Sequence, residues 1–255
     1  EILNRLVEAY RKLRNTARFL ISNLYDFDPN KDMVAPEDLA ELDRSILHRT
    51  QALVSRCREA YEGFEFHVVY HVLNNFCSVD LSARYLDIVK DRLYCEGAGS
   101  KERRSAQTAL YRILEALVHL LAPILSFTAE EIWDHMPKKG GAVESVFLSQ
   151  MPLPDEKLVD EQLDRKWEQI FKIRDEILKA LEAARNNGNI GHSLDAQVWL
   201  YPELYQKDPS LRALLKPDNN LRWDDLLIVS RVTFNNGAQP PDDLWQDALS
   251  LEEGA

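Results

Sequence analysis

Residues 189–193 read Asn-Ile-Gly-His-Ser, one letter from the His-Ile-Gly-His signature with which one class of nucleotide folds grips ATP. That chemistry needs the tetrapeptide after a strand and at the opening of a helix, where backbone N–H groups converge on phosphate. Here the order is reversed: a helical pattern precedes the motif, over about residues 160–185, and a strand pattern, Ala-Gln-Val-Trp-Leu-Tyr-Pro, follows it. Gly188 stands where helices end in a left-handed residue, and Gly191 can make the next turn. The expectation is a turn, not an ATP site. Gly-Ala-Gly-Ser-Lys at 97–101 fails as a phosphate loop on the same grounds, since its spacing is wrong and a helical segment leads into it.

Other catalytic constellations are weaker still. His67 and His71 have a four-residue helical spacing that can hold zinc, but His-Val-Val-Tyr-His lacks a metalloprotease glutamate and no third ligand suggests itself. They read as ordinary helix-face histidines. Cys57, Cys77 and Cys95 are odd in number and contain no C-x-x-C, which argues against a disulfide scaffold or a zinc ribbon and fits a reducing cytosol. No Ser/His/Asp or Cys/His arrangement stands out. No catalytic residue and no metal site are expected.

Binding chemistry is better represented. At about 100° per residue, Arg11, Arg14, Asn15 and Arg18 share one shoulder of an opening helix, beside its apolar stripe. The planar forks of the arginines suit phosphate. The plainer alternative is a solvated face in which Glu8 pairs with Lys12. Lys101, Arg103 and Arg104 form a second basic cluster at a helix start, where a cation gains nothing from the helix dipole and an external anion is the natural partner. Trp133, at one end of a helical segment, is either a stacking platform for an unpaired base or core, whereas Trp167 lies on an apolar stripe and is core.

The net charge of −11 at first argues against nucleic acid, but it is unevenly spread. Residues 1–150 hold 19 Lys and Arg against 22 Asp and Glu, residues 151–255 hold 12 against 20, and residues 1–20 hold five against two. Because salt confines surface fields to about 10 Å, a local cationic patch survives on an acidic protein.

The elements that must position these groups are mostly helices. Leu3, Leu6, Tyr10, Leu13, Ala17, Leu20 and Leu24 step by three and four, forming a stripe that needs a partner surface. A second helix follows Pro36, with Leu39, Leu42, Ile46, Leu53 and Cys57 inward. Gly63-Phe64 breaks it, and a third helical stretch runs from about Glu65 to Tyr94. The fourth, from Arg103 to Ser126, is apolar nearly all round and belongs in the middle of a bundle, with Pro123 kinking or ending it. Ser-Phe-Thr-Ala-Glu-Glu-Ile-Trp then restarts a helix, with Thr128 as N-cap and Glu131 completing a capping box. Beyond a boundary near Pro154 come a long helix, strands near 195–201 and 227–234 with short helices between them, and an acidic tail. The prediction is a helical bundle over 1–154 and a small α+β module over 155–255. No apolar run approaches membrane-spanning length, and no signal peptide is visible. Glu1 opens directly into a helical pattern without an initiator Met, which suggests a piece of a longer protein.

Several long blocks, in order from about Arg5 to Phe234, carry a resemblance. YRKLRNTARFLISNL, FEFHVVYHVLNNFCSVDLSARYLDIVKDRLYC, RRSAQTALYRILEALVHLLAPILSFTAEEIW and ESVFLSQMP together resemble the anticodon-binding helical domain of bacterial isoleucyl-tRNA synthetases. IRDEILKALEAARNNGNIGHSLDAQVWLYPE and LLIVSRVTF resemble the module that follows it in that family. FTAEEIW alone does not separate this family from valyl and leucyl relatives; DLSARYLDIVKDRLYC and IRDEILKALEAARNNGNIG tilt the choice.

The resemblance implies a mainly α class Ia synthetase anticodon-binding bundle with an appended α+β module. It implies recognition of the anticodon stem-loop of isoleucine tRNA, in support of ATP- and magnesium-dependent ligation by a catalytic domain that is not in this sequence. The family's His-Ile-Gly-His and Lys-Met-Ser-Lys-Ser motifs, its editing domain and the cysteines of its C-terminal zinc module are likewise not found here. No cofactor is expected in the chain itself. Expected partners are isoleucine tRNA and the parent's catalytic and editing domains, in a cytoplasmic monomer. A helical protein-interaction scaffold is the alternative from another class.

Overall fold

The computed structural model describes residues 2–201, 213–215 and 221–235. The acidic tail and most of the segment between the two predicted strands lie outside the described residues. The chain divides into two compact units, residues 1–164 and 165 onward, so the first takes in ten residues past the Pro154 boundary expected from composition.

The first unit is a helical bundle. Helix α1 spans Ile2–Ser22, α2 Glu41–Glu62, α3 Phe66–Asn75, α4 Leu86–Cys95, α5 Lys101–Leu121 and α6 Ser126–His135. As its all-round apolar pattern predicts, α5 is central, packing against α1, α2, α4 and α6. Leu110, Ile113, Leu114, Val118 and Leu120 on it are fully buried, each adding about 1.5–3 kcal/mol of apolar burial. Its N-terminal half is polar instead, and ties down loops. Ser105 Oγ accepts from the Ala40 amide, Thr108 Oγ1 accepts from the Val34 amide, and Gln107 Nε2 donates to the Asn23 carbonyl.

The stripe of α1 is only partly covered. Leu13, Ala17 and Leu20, with Leu24 just beyond, are buried, whereas Leu3, Leu6 and Tyr10 are exposed. Periodicity identified the face correctly, but its first turns leave these apolar side chains uncovered, while Tyr70 and Asn74 of α3 line a shallow pocket with Asn4, Arg5 and Glu8. Where Gly63-Phe64 breaks α2 from α3, the left-handed residue is Phe64, with φ 55°, and not the glycine.

The stretch expected as one helix from Glu65 to Tyr94 contains a π-helical segment, Phe76–Tyr85, between α3 and α4. Ser82 Oγ donates to the Cys77 carbonyl five residues back, stitching the widened turn. This segment delivers Asp80 to Arg49 of α2 at 2.6 Å and Tyr85 Oη to Asp43 at 2.8 Å. Asp43 is fully buried, and accepts as well from both Nη atoms of Arg92 and from Ser105 Oγ. Burial pushes the Tyr85 phenol well above its ordinary value, so it stays a donor.

In the second unit, α7 (Glu161–Asn186) begins at the end of the first and carries the apolar face expected of it, with Trp167, Ile170 and Phe171 buried. A short α8, Trp223–Leu227, occupies the start of the second predicted strand. Arg174, buried on α7, donates from Nε to the Leu226 carbonyl at 2.7 Å, and Ile228 turns out of α8 in the left-handed region. Only Arg231–Phe234 (β2) remains extended, paired in parallel with Gln197–Leu200 (β1), Gln197 opposite Arg231 and Leu200 opposite Phe234. Among the described residues no helix is long and apolar enough to cross a membrane.

Candidate nucleic-acid interface

The motif at 189–193 is a turn. After α7, Gly188 takes φ 75° and the Asn189 amide donates to the Ala184 carbonyl, a left-handed helix end. His192 then caps a single 3-10 turn, its Nδ1 accepting from the Leu194 amide. Asp195 Oδ2 accepts in return from the amides of Gly191 and His192. The amides that an ATP phosphate would need are already taken, and the chain runs on into β1. Gly97–Lys101 is the α4–α5 connection, in which Ser100 caps α5 by accepting from the Arg103 amide. His67 and His71 are exposed, and among the described residues no three metal-ligating side chains converge.

Of the two basic clusters, only one faces outward. Arg103 is 4% exposed. Its Nη1 and Nη2 grip both oxygens of Asp26, at 2.5 and 2.9 Å, its Nε donates to the Leu93 carbonyl, and the guanidinium covers the Tyr25 ring. Arg104 donates to the Asp26 carbonyl and Gln107 Oε1, with Asp32 Oδ2 at 3.6 Å. The Arg103 guanidinium holds the Asp26 carboxyl below its ordinary value, against the opposing effect of burial. These two arginines are therefore bundle rivets rather than phosphate ligands, a correction to what their spacing suggests. The turn at Tyr25–Asp32 supplies their internal anions, which spacing along α5 does not reveal. Lys101 alone of that cluster is exposed.

Trp133 also belongs to the interior. It is 7% exposed, donates from Nε1 to the Val143 carbonyl, meets His119 edge-on and lies under Lys138 Nζ. With its ring packed and its N–H engaged, it offers no open platform for a base.

The α1 shoulder remains open. Arg11, Arg14, Asn15 and Arg18 are all exposed. Arg11 Nη1 pairs with Glu8 at 2.7 Å, so Glu8 takes Arg11 and not the expected Lys12. Arg14 Nη2 reaches Glu131 Oε1 on α6 at 3.2 Å, with both side chains about half exposed. Arg18 makes no side-chain ion pair among the described residues. One turn before Arg14, Tyr10 Oη lies 3.2 Å from Thr128 Oγ1. Thr128 and Glu131, expected as a capping box, thus face across to α1. The helix starts three residues early, at Ser126, with Leu125 at the cap position in place of Thr128 and no side-chain cap. The seam places the arginines on a solvated ridge where α1 meets α6, and surface pairs of this kind are worth about 0–1 kcal/mol, so an incoming phosphate can displace them.

Comparison with known proteins gives this geometry a family. The family described as the anticodon-binding domain of tRNA ligase matches residues 43–200. The chain is 50% identical over 252 residues to an isoleucine–tRNA ligase of Desulforamulus reducens, covering 99% of this chain and 26% of that protein. It is 48% identical over 252 residues to the one of Moorella thermoacetica, with the same coverage of 99% and 26%. For Caldanaerobacter subterraneus the identity is 53% over 239 residues, 92% of this chain and 25% of the relative. The chain thus spans about a quarter of the length of the curated relatives it matches. With a helical bundle, an outward arginine ridge and a match over more than half its length, the chain belongs to the anticodon-binding domain family of tRNA ligases.

Proposed function

We propose that the chain binds the anticodon stem-loop of isoleucine tRNA, for a ligase whose chemistry resides in residues outside this sequence. The observation that carries this reading is the exposed ridge of Arg11, Arg14, Asn15 and Arg18, in a chain of the anticodon-binding family whose relatives are named isoleucine–tRNA ligases. A stem presents regularly spaced phosphates to such forks, and a loop presents unstacked bases. Lys101 is a more distant candidate contact.

On this reading the working context is a cytoplasmic, monomeric ligase, in which the chain cooperates with catalytic and editing domains. ATP and magnesium then serve the catalytic domain, and this chain needs neither them nor zinc to bind RNA. The acid-rich remainder of the surface discourages unspecific adhesion to nucleic acid.

The test is a gel-shift titration of the chain with isoleucine and valine tRNA at two salt concentrations. Binding that favours isoleucine tRNA and weakens steeply with salt is the expected result. Equal indifference to both RNAs, or affinity unchanged by salt, contradicts the proposal.

A further inference from the structure

Phe127 is the most exposed large apolar side chain among the described residues, at 95%. It lies in the first turn of α6, next to Thr128, whose hydroxyl is 3.2 Å from Tyr10 Oη. It also lies one turn before Glu131, whose carboxylate is 3.2 Å from Arg14. Residues four apart share a helix face, so the Phe127 ring stands on the same side of α6 as the end of the arginine ridge.

Three other exposed aromatic side chains are already engaged or sit among acidic groups. Phe64 and Phe66 pack edge-on against each other beside Glu62 and Glu65, where phosphate is repelled. Tyr25 already carries the Arg103 guanidinium on its face. Phe127 has no ring partner among the described residues, and the seam beside it holds Arg14. An open π-face beside phosphate-binding forks is what unpaired nucleotides require: the backbone is held by charge while a base stacks.

We propose that Phe127 is a stacking platform for an unpaired base of the anticodon loop, standing beside the α1 arginines where Tyr10 of α1 meets Thr128 of α6. This rests on the tRNA-binding reading above. It replaces Trp133, whose ring is committed to the interior, and it places base stacking and phosphate contact on opposite sides of one seam.

The experiment compares the unaltered chain with Phe127→Ala, Phe127→Trp and Arg18→Ala, titrated into an anticodon stem-loop RNA that carries a fluorescent adenine analogue at each loop position in turn. In the unaltered chain one position is quenched on binding. Phe127→Ala loses that quench and binds roughly ten- to a hundredfold more weakly, the scale of one lost base–aromatic stack. Phe127→Trp retains both. Because the ring is solvated, the melting temperature of each Phe127 variant matches that of the unaltered chain. If Arg18→Ala weakens binding while Phe127→Ala leaves affinity and quench unchanged, the platform is overturned and the tRNA-binding reading stands. If the unaltered chain neither binds nor quenches at any position, both fall together.

Discussion

Arg14 and Glu131, 117 residues apart in sequence, meet at 3.2 Å on an open surface where α1 meets α6. Glu131 Oε1 thereby occupies the kind of position that a phosphate oxygen would take. The pair holds the guanidinium extended across the seam and at the same time competes for it. Removing the carboxylate therefore affects folding and binding differently.

Glu131→Gln is expected to leave the melting temperature within a degree or two, because exposed pairs contribute about 0–1 kcal/mol. The same substitution strengthens RNA binding by roughly two- to fivefold, in line with about 1 kcal/mol or less for a charge at this range in water. Thermal denaturation together with a binding titration checks both halves. Weaker binding in Glu131→Gln would show that the carboxylate serves to position Arg14 and does not compete for it.

Arg103→Ala is expected to destabilise the first unit by about 1.5–3 kcal/mol, since it removes the two-pronged partner of Asp26, which keeps only Gln107 and, at 3.7 Å, Arg104. Arg103→Lys recovers only part of this, because an ammonium cannot reproduce the two-pronged grip on Asp26 together with the bond to the Leu93 carbonyl. Urea titration measures the losses. A stable Arg103→Ala protein with weakened RNA binding would return Arg103 to the interface.

Acid should unfold the protein through the same contacts. The Asp26 carboxyl is held below its ordinary 3.8 by Arg103, and Asp160 is likewise lowered, first by the Leu163 amide that it caps. A group whose folded value is depressed contributes stability that is complete above the unfolded value and is lost as pH falls through the folded one. The melting temperature is therefore expected to hold from about pH 7 to about pH 5 and to drop below about pH 4. In Asp26→Asn it starts lower and falls less steeply with acid. Equal acid limbs in the two proteins would show that Asp26 plays no part in acid unfolding.

Gly188→Ala tests the turn at the end of α7. A side chain at φ 75° costs about 1–2 kcal/mol, so the second unit should melt earlier while RNA binding by the first is unchanged. Calorimetry resolves the difference, and an unshifted profile would contradict the left-handed helix end.

Helix positions, the central place of α5 and the helix–turn–strand order around Gly188 were legible because they follow from local rules of period, capping and turn chemistry. The contacts that sort the arginines were not. Arg103 and Arg18 look alike in sequence, and what separates them is the Tyr25–Asp32 turn, folded against α5 by contacts some 77 residues apart. Thr128 and Glu131 satisfied a capping pattern, yet tertiary partners on α1 took both side chains. The π segment carries no proline or glycine to announce it; its widened turn is supported by Asp43 and Arg49, which lie on another helix. Leu226 and Leu227 read as strand by composition, but Arg174 holds the Leu226 carbonyl at the end of α8.

Contact between the α1 arginines and RNA phosphate has a direct signature in salt. The measurement is the salt dependence of isoleucine tRNA affinity in the unaltered chain and in the variant with Arg11, Arg14 and Arg18 all changed to Ala. The expected result is weaker binding in the variant and a slope of log affinity against log salt that is shallower by about two, near the 0.7–0.9 expected for each lost phosphate contact. Identical slopes in the two proteins would contradict phosphate contact by this ridge.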